Sequence, residues 1–301
     1  MAGRKLASDE GGKLIAKVPD VVATRGVRTL HEILDFGNRS DLSSNMMPPA
    51  VHEHVFVSVD NVRFVDAFLT PSERFNFLFR GPNPLTPDPP YSFDYTTLCA
   101  GMENAAAQAG YSLQPPYRII DINLMQWENA NEVPMILTEY KFFRDYPLRG
   151  EFHFWETNGT GLCAMDVAFA DSNVRNHLAM NIESWLGDQL DQRMEQLHNW
   201  LMFEPASTVI YAHCEGGIDR TGELMGAYYL RWLNKSWDEM NQLNAEIANR
   251  PFGCNNYRAT LWYCIYLVEA LKFKLDYTQA FKCADPGYLT NGHYACGSPP
   301  P

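Results

Sequence analysis

Apolar positions along the chain follow two different periods. A run of β-branched and aromatic residues over 208–212 predicts a buried strand, and a short apolar run over 117–122 predicts another. Residues 188–203 instead follow a helical period, because their apolar side chains fall on one face. That face carries Leu190, Met194, Leu197 and Leu201. The chain is therefore expected to contain both buried strands and amphipathic helices.

Shorter segments extend this pattern over most of the sequence. Further strands are predicted over 55–60, 62–69, 151–157, 162–170 and 177–182, with a hairpin turn over 158–161. Further helices are predicted over 94–110, 221–234, 237–249 and 257–274. Strands that precede and alternate with helices indicate the α/β class, with the helix-rich C-terminal third packed on the sheet.

The length of 301 residues suits one large domain or two small ones. Residues 1–20 are expected to form a flexible N-terminal arm, and 285–301 an irregular C-terminal tail. A proline-dense segment over 82–90 can continue neither a helix nor a central strand, so it is predicted to be a loop. We expect a single domain over 21–284, with its catalytic core at about 115–275.

Composition and charge narrow the function classes. The chain is 46% apolar and carries a net charge of -12, which argues against nucleic acid as the main partner. The N-terminal segment has no apolar core of the secretory type, and no apolar stretch approaches membrane-spanning length. A cytoplasmic protein without an integral membrane segment is the expectation, and export by a leaderless route is the alternative.

Seven cysteines give no sign of a zinc site. They occupy positions 99, 163, 214, 254, 264, 283 and 296, without a CxxC pair. His52 and His54 flank Glu53 and resemble a fragment of a metal site, but no further ligand is apparent in the sequence. We therefore expect neither a metal ion nor another cofactor.

The segment 213–221, which reads HCEGGIDRT, carries the chemistry. Cys214 follows a predicted strand, where α/β proteins commonly place their sites, and a predicted helix begins near Thr221. Gly216 and Gly217 allow the loop to curl so that successive backbone N–H groups converge on an anion. Arg220 can hold two phosphate oxygens at once. The loop residues expected to surround the phosphate are Glu215, Gly216, Gly217, Ile218 and Asp219.

The same loop is expected to ionise its cysteine. A thiol beside an arginine and a helix N-terminus has a lowered pKa, so Cys214 is predicted to be a nucleophilic thiolate at neutral pH. Thr221 can donate a hydrogen bond to that sulfur and assist its departure. His213 is expected to shape the loop through backbone hydrogen bonds rather than to act as a base.

This segment resembles the phosphate-binding loop of the cysteine-dependent protein tyrosine phosphatase superfamily, which includes dual-specificity and phytase-like branches. The resemblance covers about 177–275. It implies a central mixed sheet flanked by helices, with Cys214 as nucleophile, Arg220 as phosphate clamp and Thr221 as partner of the thiolate.

Two departures from that family leave the substrate class open. Glu215 and Asp219 make the loop acidic, whereas members that favour polyphosphorylated inositols often carry lysines there. A highly charged substrate would need basic residues from elsewhere, for which Arg80, Arg118 and Arg144 are candidates. The Asp-Arg-Thr ending is also similar to that of the myotubularin and Sac-type phosphoinositide phosphatases.

The general acid is expected on a loop about thirty residues upstream, as the resemblance implies. The segment 183–188 occupies that position, with Asp188 as the expected residue type and Glu183 at the better distance. Asp188 equally suits a helix cap, and Glu183 a solvated strand end. Asp219 is a third candidate, by analogy with the myotubularins.

Taken together, these features predict a phosphomonoesterase that works through a Cys214-phosphate intermediate. The first substrate hypothesis is protein phosphotyrosine, with or without phosphoserine and phosphothreonine. The second is a phosphorylated inositol or its lipid. A phosphate-binding protein that has lost catalysis is the alternative from another class.

Overall fold

The computed structural model of the protein describes residues 55–159, 171–205, 207–248 and 253–276. The N-terminal arm 1–20, the histidine pair at 52 and 54, the strand over 162–170 and the tail 285–301 lie outside these residues.

A five-stranded mixed sheet forms the centre of the protein, in the order β1-β2-β5-β3-β4. β1 and β2 are antiparallel, and β2, β5, β3 and β4 run parallel to one another. The strands are β1 Arg63–Leu69, β2 Phe75–Gly81, β3 Arg118–Asn123, β4 Gly150–Phe154 and β5 Thr208–His213. The carboxyl ends of the four parallel strands therefore lie at one edge of the sheet, which is where α/β proteins bind ligands.

Helices pack on the sheet and complete the α/β architecture. They are α1 Tyr95–Gln108, α2 Val133–Asp145, α3 Ser172–Met180, α4 Leu190–Phe203, α5 Asp219–Arg231, α6 Trp237–Ala248 and α7 Cys254–Glu269, with a 3₁₀ turn at Ile182–Ser184. In the parts of the chain described above, none of these helices has the length and apolarity needed to cross a bilayer.

Each face of the sheet buries its own apolar core. Leu78, Ile120 and Ile210 belong to the larger cluster, which also contains apolar side chains of α4, α5 and α7. Their strand neighbours Phe79 and Val209 belong to a second cluster with α1. Because successive strand residues point to opposite faces, a strand buried on both faces reads as a continuous apolar run.

The predicted fold class and most predicted elements are confirmed. The strands over 117–122 and 208–212 correspond to β3 and β5, and the helix over 188–203 corresponds to α4. The helices predicted over 94–110, 221–234, 237–249 and 257–274 correspond to α1, α5, α6 and α7. The local sequence pattern was sufficient for β3 and β5, which read as continuous apolar runs, and for α4, which buries a regular apolar face.

Two strand predictions were wrong. The segment 177–182 lies mainly in α3, whose start is capped by the carboxylate of Asp171 accepting from the backbone N–H groups of Asn173 and Val174. Over 55–60 there is no strand, since Phe56 makes only an isolated bridge with Asn83. Strand β2 and helix α2 lie outside the sequence predictions altogether.

Candidate active site

The loop 214–218 joins the carboxyl end of β5 to the first residue of α5. Cys214 is only 2% exposed and packs into the larger core cluster. The strand before the loop is fully buried, so the loop begins from a rigid position. The predicted strand–loop–helix arrangement is present, and the thiol lies at the ligand-binding edge of the sheet.

Contacts outside the loop hold three of its carbonyl groups. The oxygen of Cys214 lies 3.2 Å from Nδ1 of His213, the oxygen of Glu215 accepts from the backbone N–H of Asn83 at 3.0 Å, and the oxygen of Gly217 accepts from Nη2 of Arg80 at 3.0 Å. The C=O and N–H groups of a trans peptide point in opposite directions. The N–H groups of the same three peptides belong to Glu215, Gly216 and Ile218. They therefore face the other side of the loop, where they can bind an anion.

Gly217 is the residue that lets the loop turn. Its φ of +69° lies in the left-handed region, and a Cβ at this position would lie 2.3 Å from the backbone oxygen of Gly81. At Gly216, in contrast, the nearest atom to such a Cβ belongs to Ile218 at 3.6 Å, an ordinary contact. Only Gly217 therefore requires glycine, both for its dihedral angle and for its close approach to β2.

The site shifts the pKa of Cys214 below its ordinary value. Burial raises this pKa, but the charge of Arg220 and hydrogen bonds from the hydroxyl and backbone N–H of Thr221 outweigh that effect, while Asp219 opposes them. The Thr221 side chain is completely buried. These contacts favour a thiolate, the form of cysteine that acts as a nucleophile.

Arg220 forms a two-point ion pair with Glu132, a residue that the sequence predictions did not include. Nη1 and Nη2 donate to Oε2 and Oε1 of Glu132, each at 2.7 Å. Glu132 directly precedes α2 and also accepts from the backbone N–H of Gln126 at 2.6 Å. Burial lowers the pKa of Arg220, but the contacts with Glu132 and the charge of Cys214 raise it above its ordinary value. The guanidinium is thereby held charged in one orientation.

His213 does more than shape the loop. Its Nε2 lies 3.0 Å from Glu139 and 3.3 Å from Asp121, and all three side chains are fully buried. Burial raises the pKa of Glu139 to about 7. Burial lowers the pKa of His213, but the charges of Glu139 and Asp121 raise it well above its usual range. A protonated ring supplies the positive charge that buried carboxylates need.

The same three residues form a cluster that could hold a metal ion. Their ligand atoms all lie within 4.8 Å of one another, and no other such cluster occurs among the described residues. The histidine fragment over 52–54 cannot be compared, because it lies outside the described residues.

Asp188, the first sequence candidate for the general acid, lies inside a buried polar cluster. It is 2% exposed, and its Oδ1 accepts from the backbone N–H of Asn158 at 2.9 Å. Burial raises its pKa, while Arg193 lowers it. Asp188 also hydrogen-bonds to Glu223 of α5, whose pKa burial and the Asp188 charge raise well above its usual value.

This buried cluster supports the segment that follows β4. Arg193 donates to the hydroxyl of Thr157 at 2.8 Å and to the carbonyl of Glu156 at 2.7 Å. That segment is in turn joined to the loop after β3, since Glu156 accepts from the backbone N–H of Trp127 at 2.8 Å. Two loops at the ligand-binding edge are thus tied together by groups distant in sequence.

The other two candidates for the acid lie in different surroundings. Glu183 lies exposed in the 3₁₀ turn, where its charge acts on Asp191 and Tyr266. Asp219 begins α5 and accepts from the backbone N–H of Gly253 at 2.6 Å, and its charge acts directly on Cys214. Of the three, Asp219 is the one whose carboxylate influences the sulfur.

The three basic candidates from the sequence also lie in different surroundings. Arg118 pairs with Glu151 at 2.6 Å, and Arg144 pairs with its neighbour Asp145 at 2.8 Å. Arg80 instead lies beneath the loop and donates to Gly217. Only Arg80 is therefore brought to the loop.

Comparison with known proteins gives structural neighbours only. No family model and no curated protein matches the sequence. Similar solved structures include the PTP-2 phosphatase of Cydia pomonella, with 14% identity, 61% of this chain and 83% of that chain covered, and a TM-score of 0.30. Human DUSP28 shares 14% identity over 69% of this chain and 95% of that chain, with a TM-score of 0.31. PTPMT1 shares 13% identity over 65% and 95%, with a TM-score of 0.29. At these values the assignment of the site rests on its own geometry.

Proposed function

We propose that the protein is a cysteine-dependent phosphomonoesterase. The observation that carries the proposal is a buried thiol of lowered pKa, Cys214, beneath a loop whose N–H groups face one side and beside the oriented guanidinium of Arg220. A phosphate bound there would meet backbone donors, a fixed cation and a nucleophile together. Such preorganised charge is the main source of catalysis in phosphoryl transfer.

The reaction has two steps in this site. The Cys214 thiolate attacks phosphorus, a P–S bond forms, and the bond to the ester oxygen breaks while that oxygen takes a proton from an acid. Water then attacks the phosphocysteine and gives a proton to the conjugate base of that acid, the P–S bond breaks, and inorganic phosphate leaves while Cys214 departs as a thiolate. Thr221 stabilises the departing thiolate by its hydrogen bond, and Arg220 binds the phosphate oxygens in both steps.

We assign the proton donor to Asp219, because its charge reaches Cys214 whereas Glu183 lies exposed in the 3₁₀ turn. It must be protonated when the ester bond breaks and must reach the leaving oxygen. The assignment to Asp188 stays a prediction, and both residues enter the same test in the Discussion.

The substrate proposal is a phosphomonoester. Phosphotyrosine, with or without phosphoserine and phosphothreonine, and a phosphorylated inositol or its lipid both stay predictions. A catalytically silent phosphate-binding protein is the second candidate, because the acid is the least defined part of the site.

Turnover of an aryl phosphate by wild type and by Cys214→Ser tests the proposal. We expect the variant to lose activity by about 10⁴-fold or more, as when a nucleophile is removed. Acid-quenched wild type should carry phosphate on the Cys214 peptide in mass spectrometry, and Thr221→Ala should carry more because the second step is slowed. Turnover that survives Cys214→Ser would refute the nucleophile. Phosphate binding without turnover by wild type would support the silent alternative.

A further inference from the structure

Three ionisable side chains meet directly before the loop that holds Cys214. Asp121 lies in β3, Glu139 lies in α2, and His213 is the last residue of β5. Nε2 of His213 lies 3.0 Å from Oε2 of Glu139 and 3.3 Å from Oδ1 of Asp121. All three residues are fully buried. None of their side chains takes part in the proposed reaction, so the cluster needs an explanation of its own.

Hydrogen bonds within the protein leave part of this cluster unsatisfied. Within the described residues, Oδ2 of Asp121 and Oε1 of Glu139 have no hydrogen-bond partner. Buried carboxylate oxygens without a donor are costly, and folded proteins contain few of them. A proton on Nε2 of His213 explains the two short contacts, but those contacts are with the other oxygen of each carboxylate. A ligand that contacts several of these oxygens at once would satisfy the cluster more completely.

The spacing of the donor atoms fits a metal ion. One atom from each of the three residues can be chosen so that all lie within 4.8 Å of one another. Neighbouring donors that bind one cation at about 2.1 Å lie roughly 3.0 Å apart in an octahedron and roughly 3.4 Å apart in a tetrahedron. The distances of 3.0 and 3.3 Å from Nε2 of His213 agree with these values. One imidazole with two carboxylates is a donor set that suits divalent ions of the first transition row.

Further hydrogen bonds orient two of the donors. Nδ1 of His213 lies 3.2 Å from the carbonyl oxygen of Cys214, so a ring protonated there presents the Nε2 lone pair to the carboxylates. Nδ2 of Asn123 donates to Oε2 of Glu139 at 2.8 Å, and Oδ1 of Asn123 accepts from the backbone N–H of Met125 at 2.9 Å. Metal-binding histidines and carboxylates commonly have supporting partners of this kind.

We propose that Asp121, Glu139 and His213 bind one divalent cation of the first transition row, such as Mn²⁺ or Zn²⁺. The cation takes the position of the proton on Nε2, which is released to solvent, and the metal-free protein keeps that proton instead. Because the three ligands come from β3, α2 and β5, the ion joins elements that meet beside the loop. It should stabilise the folded chain, since the unfolded chain does not hold the three ligands together.

Manganese binding tests the site in the full-length protein. Protein produced with Mn²⁺ in the growth medium and passed over a chelating resin should retain about one ion per chain. Pulsed electron paramagnetic resonance should show coupling of this Mn²⁺ to an imidazole nitrogen. Asp121→Asn removes one ligand charge at nearly constant size. It should lower the retained manganese by at least about tenfold, since loss of a group that only supports a ligand already costs 10–100-fold in affinity.

Asp188→Asn is the matched control, because Asp188 is also a buried aspartate, at 2% exposure, in the separate polar cluster of Arg193. It should retain the metal. Mn²⁺ should raise the Tm of the wild type and of Asp188→Asn but not that of Asp121→Asn. If Asp121→Asn does not fold, Glu139→Gln repeats the comparison, and the nitrogen coupling of the wild type is measured in either case.

The outcomes separate this inference from the proposed function. Cys214→Ser should keep its manganese, because the thiol is not a ligand, although the proposed phosphatase activity is lost. Equal manganese in Asp121→Asn and the wild type, a wild-type spectrum without nitrogen coupling, or loss of the metal from Cys214→Ser would each overturn the metal site. None of these results would affect Cys214-dependent turnover. A bound metal in a protein without turnover would support the site and overturn the phosphatase.

Discussion

The guanidinium of Arg220 is held by the carboxylate of Glu132, 88 residues away in the sequence, through two hydrogen bonds of 2.7 Å. The pair is almost buried, with the side chain of Glu132 3% exposed and that of Arg220 15% exposed. Two parallel bonds fix the plane of the guanidinium as well as its position. Glu132 therefore determines where the donors that remain on Arg220 can meet a phosphate.

Replacing Glu132 by glutamine should disorient Arg220. The amide can accept only one of the two hydrogen bonds, and its NH₂ group faces the other donor. We expect kcat/KM for an aryl phosphate to fall by about 10²-fold, as for other small displacements of a catalytic group. Glu128→Gln is the control, since Glu128 is an exposed carboxylate in the same loop. A Glu132→Gln variant with wild-type kcat/KM would show that the pair has no role in catalysis.

Thr221 should control the ionisation of Cys214. Its hydroxyl lowers the pKa of the thiol, so Thr221→Val, which removes the hydroxyl at nearly constant size, should raise that pKa. The pH midpoint for inactivation by iodoacetamide, followed on the Cys214 peptide by mass spectrometry, should therefore move to higher pH. Thr221→Ser keeps the hydroxyl and should stay close to wild type. Identical midpoints for valine and wild type would contradict the assigned hydrogen bond.

Asp219 and Asp188 should respond to removal of their charge in different ways. Asp219→Asn should slow hydrolysis of an alkyl phosphate by roughly 10²–10⁴-fold, because a poor leaving group needs a proton. Hydrolysis of p-nitrophenyl phosphate should be affected much less. Asp188→Asn should instead destabilise the protein by roughly 1–3 kcal/mol, since the Asn158 backbone N–H loses a charged acceptor and the buried Arg193 loses a nearby negative charge.

Leaving-group dependence decides between these two residues. The unfolding free energy of both variants would be measured with urea alongside the rates. If Asp188→Asn is the variant that discriminates between alkyl and aryl esters, then Asp188 is the acid and the assignment to Asp219 fails.

The sequence predicted the parts of the site that are local. The strand, loop and helix around Cys214 are contiguous, so their order and spacing reveal the loop directly. Glu132 and Glu139 could not be found in this way, because each meets its partner only when β3 and α2 pack beside β5. Nothing in the sequence around either residue marks it as buried.

The missed elements have related causes. β2 is buried on both faces at almost every position, but Asn76 and Arg80 interrupt its apolar run, and prolines follow it directly. α3 buries only Ala179 along its length, so it has no apolar face to reveal a helical period. Long-range packing decided both cases.

Gly217 and Gly216 should differ sharply in tolerance. Gly217→Ala places a Cβ 2.3 Å from the Gly81 oxygen at a positive φ, so the loop must move. The left-handed conformation alone costs roughly 1–2 kcal/mol for a residue with a side chain. We expect a loss of at least this size in unfolding free energy and weaker binding of inorganic phosphate. Gly216→Ala should stay within about 0.5 kcal/mol of wild type. Equal effects would show that the turn at Gly217 is wrongly described.

The pair of Glu139 and His213 should make stability depend on pH. The pKa of Glu139 is raised from 4.5 to about 7, so the folded state binds this proton more tightly than the unfolded state. The stability contributed by this bound proton is fully present below about pH 4.5 and is lost as the pH rises through about 7. The Glu139→Gln variant has no carboxyl group to titrate at this position, so its stability does not decrease with pH for this reason. Urea denaturation of both proteins at pH 5 and pH 7.5 should show the wild type losing stability relative to the variant as pH rises. The opposite trend would mean that Glu139 is ionised and stabilised in the fold, as an ordinary ion pair with a lowered pKa would be.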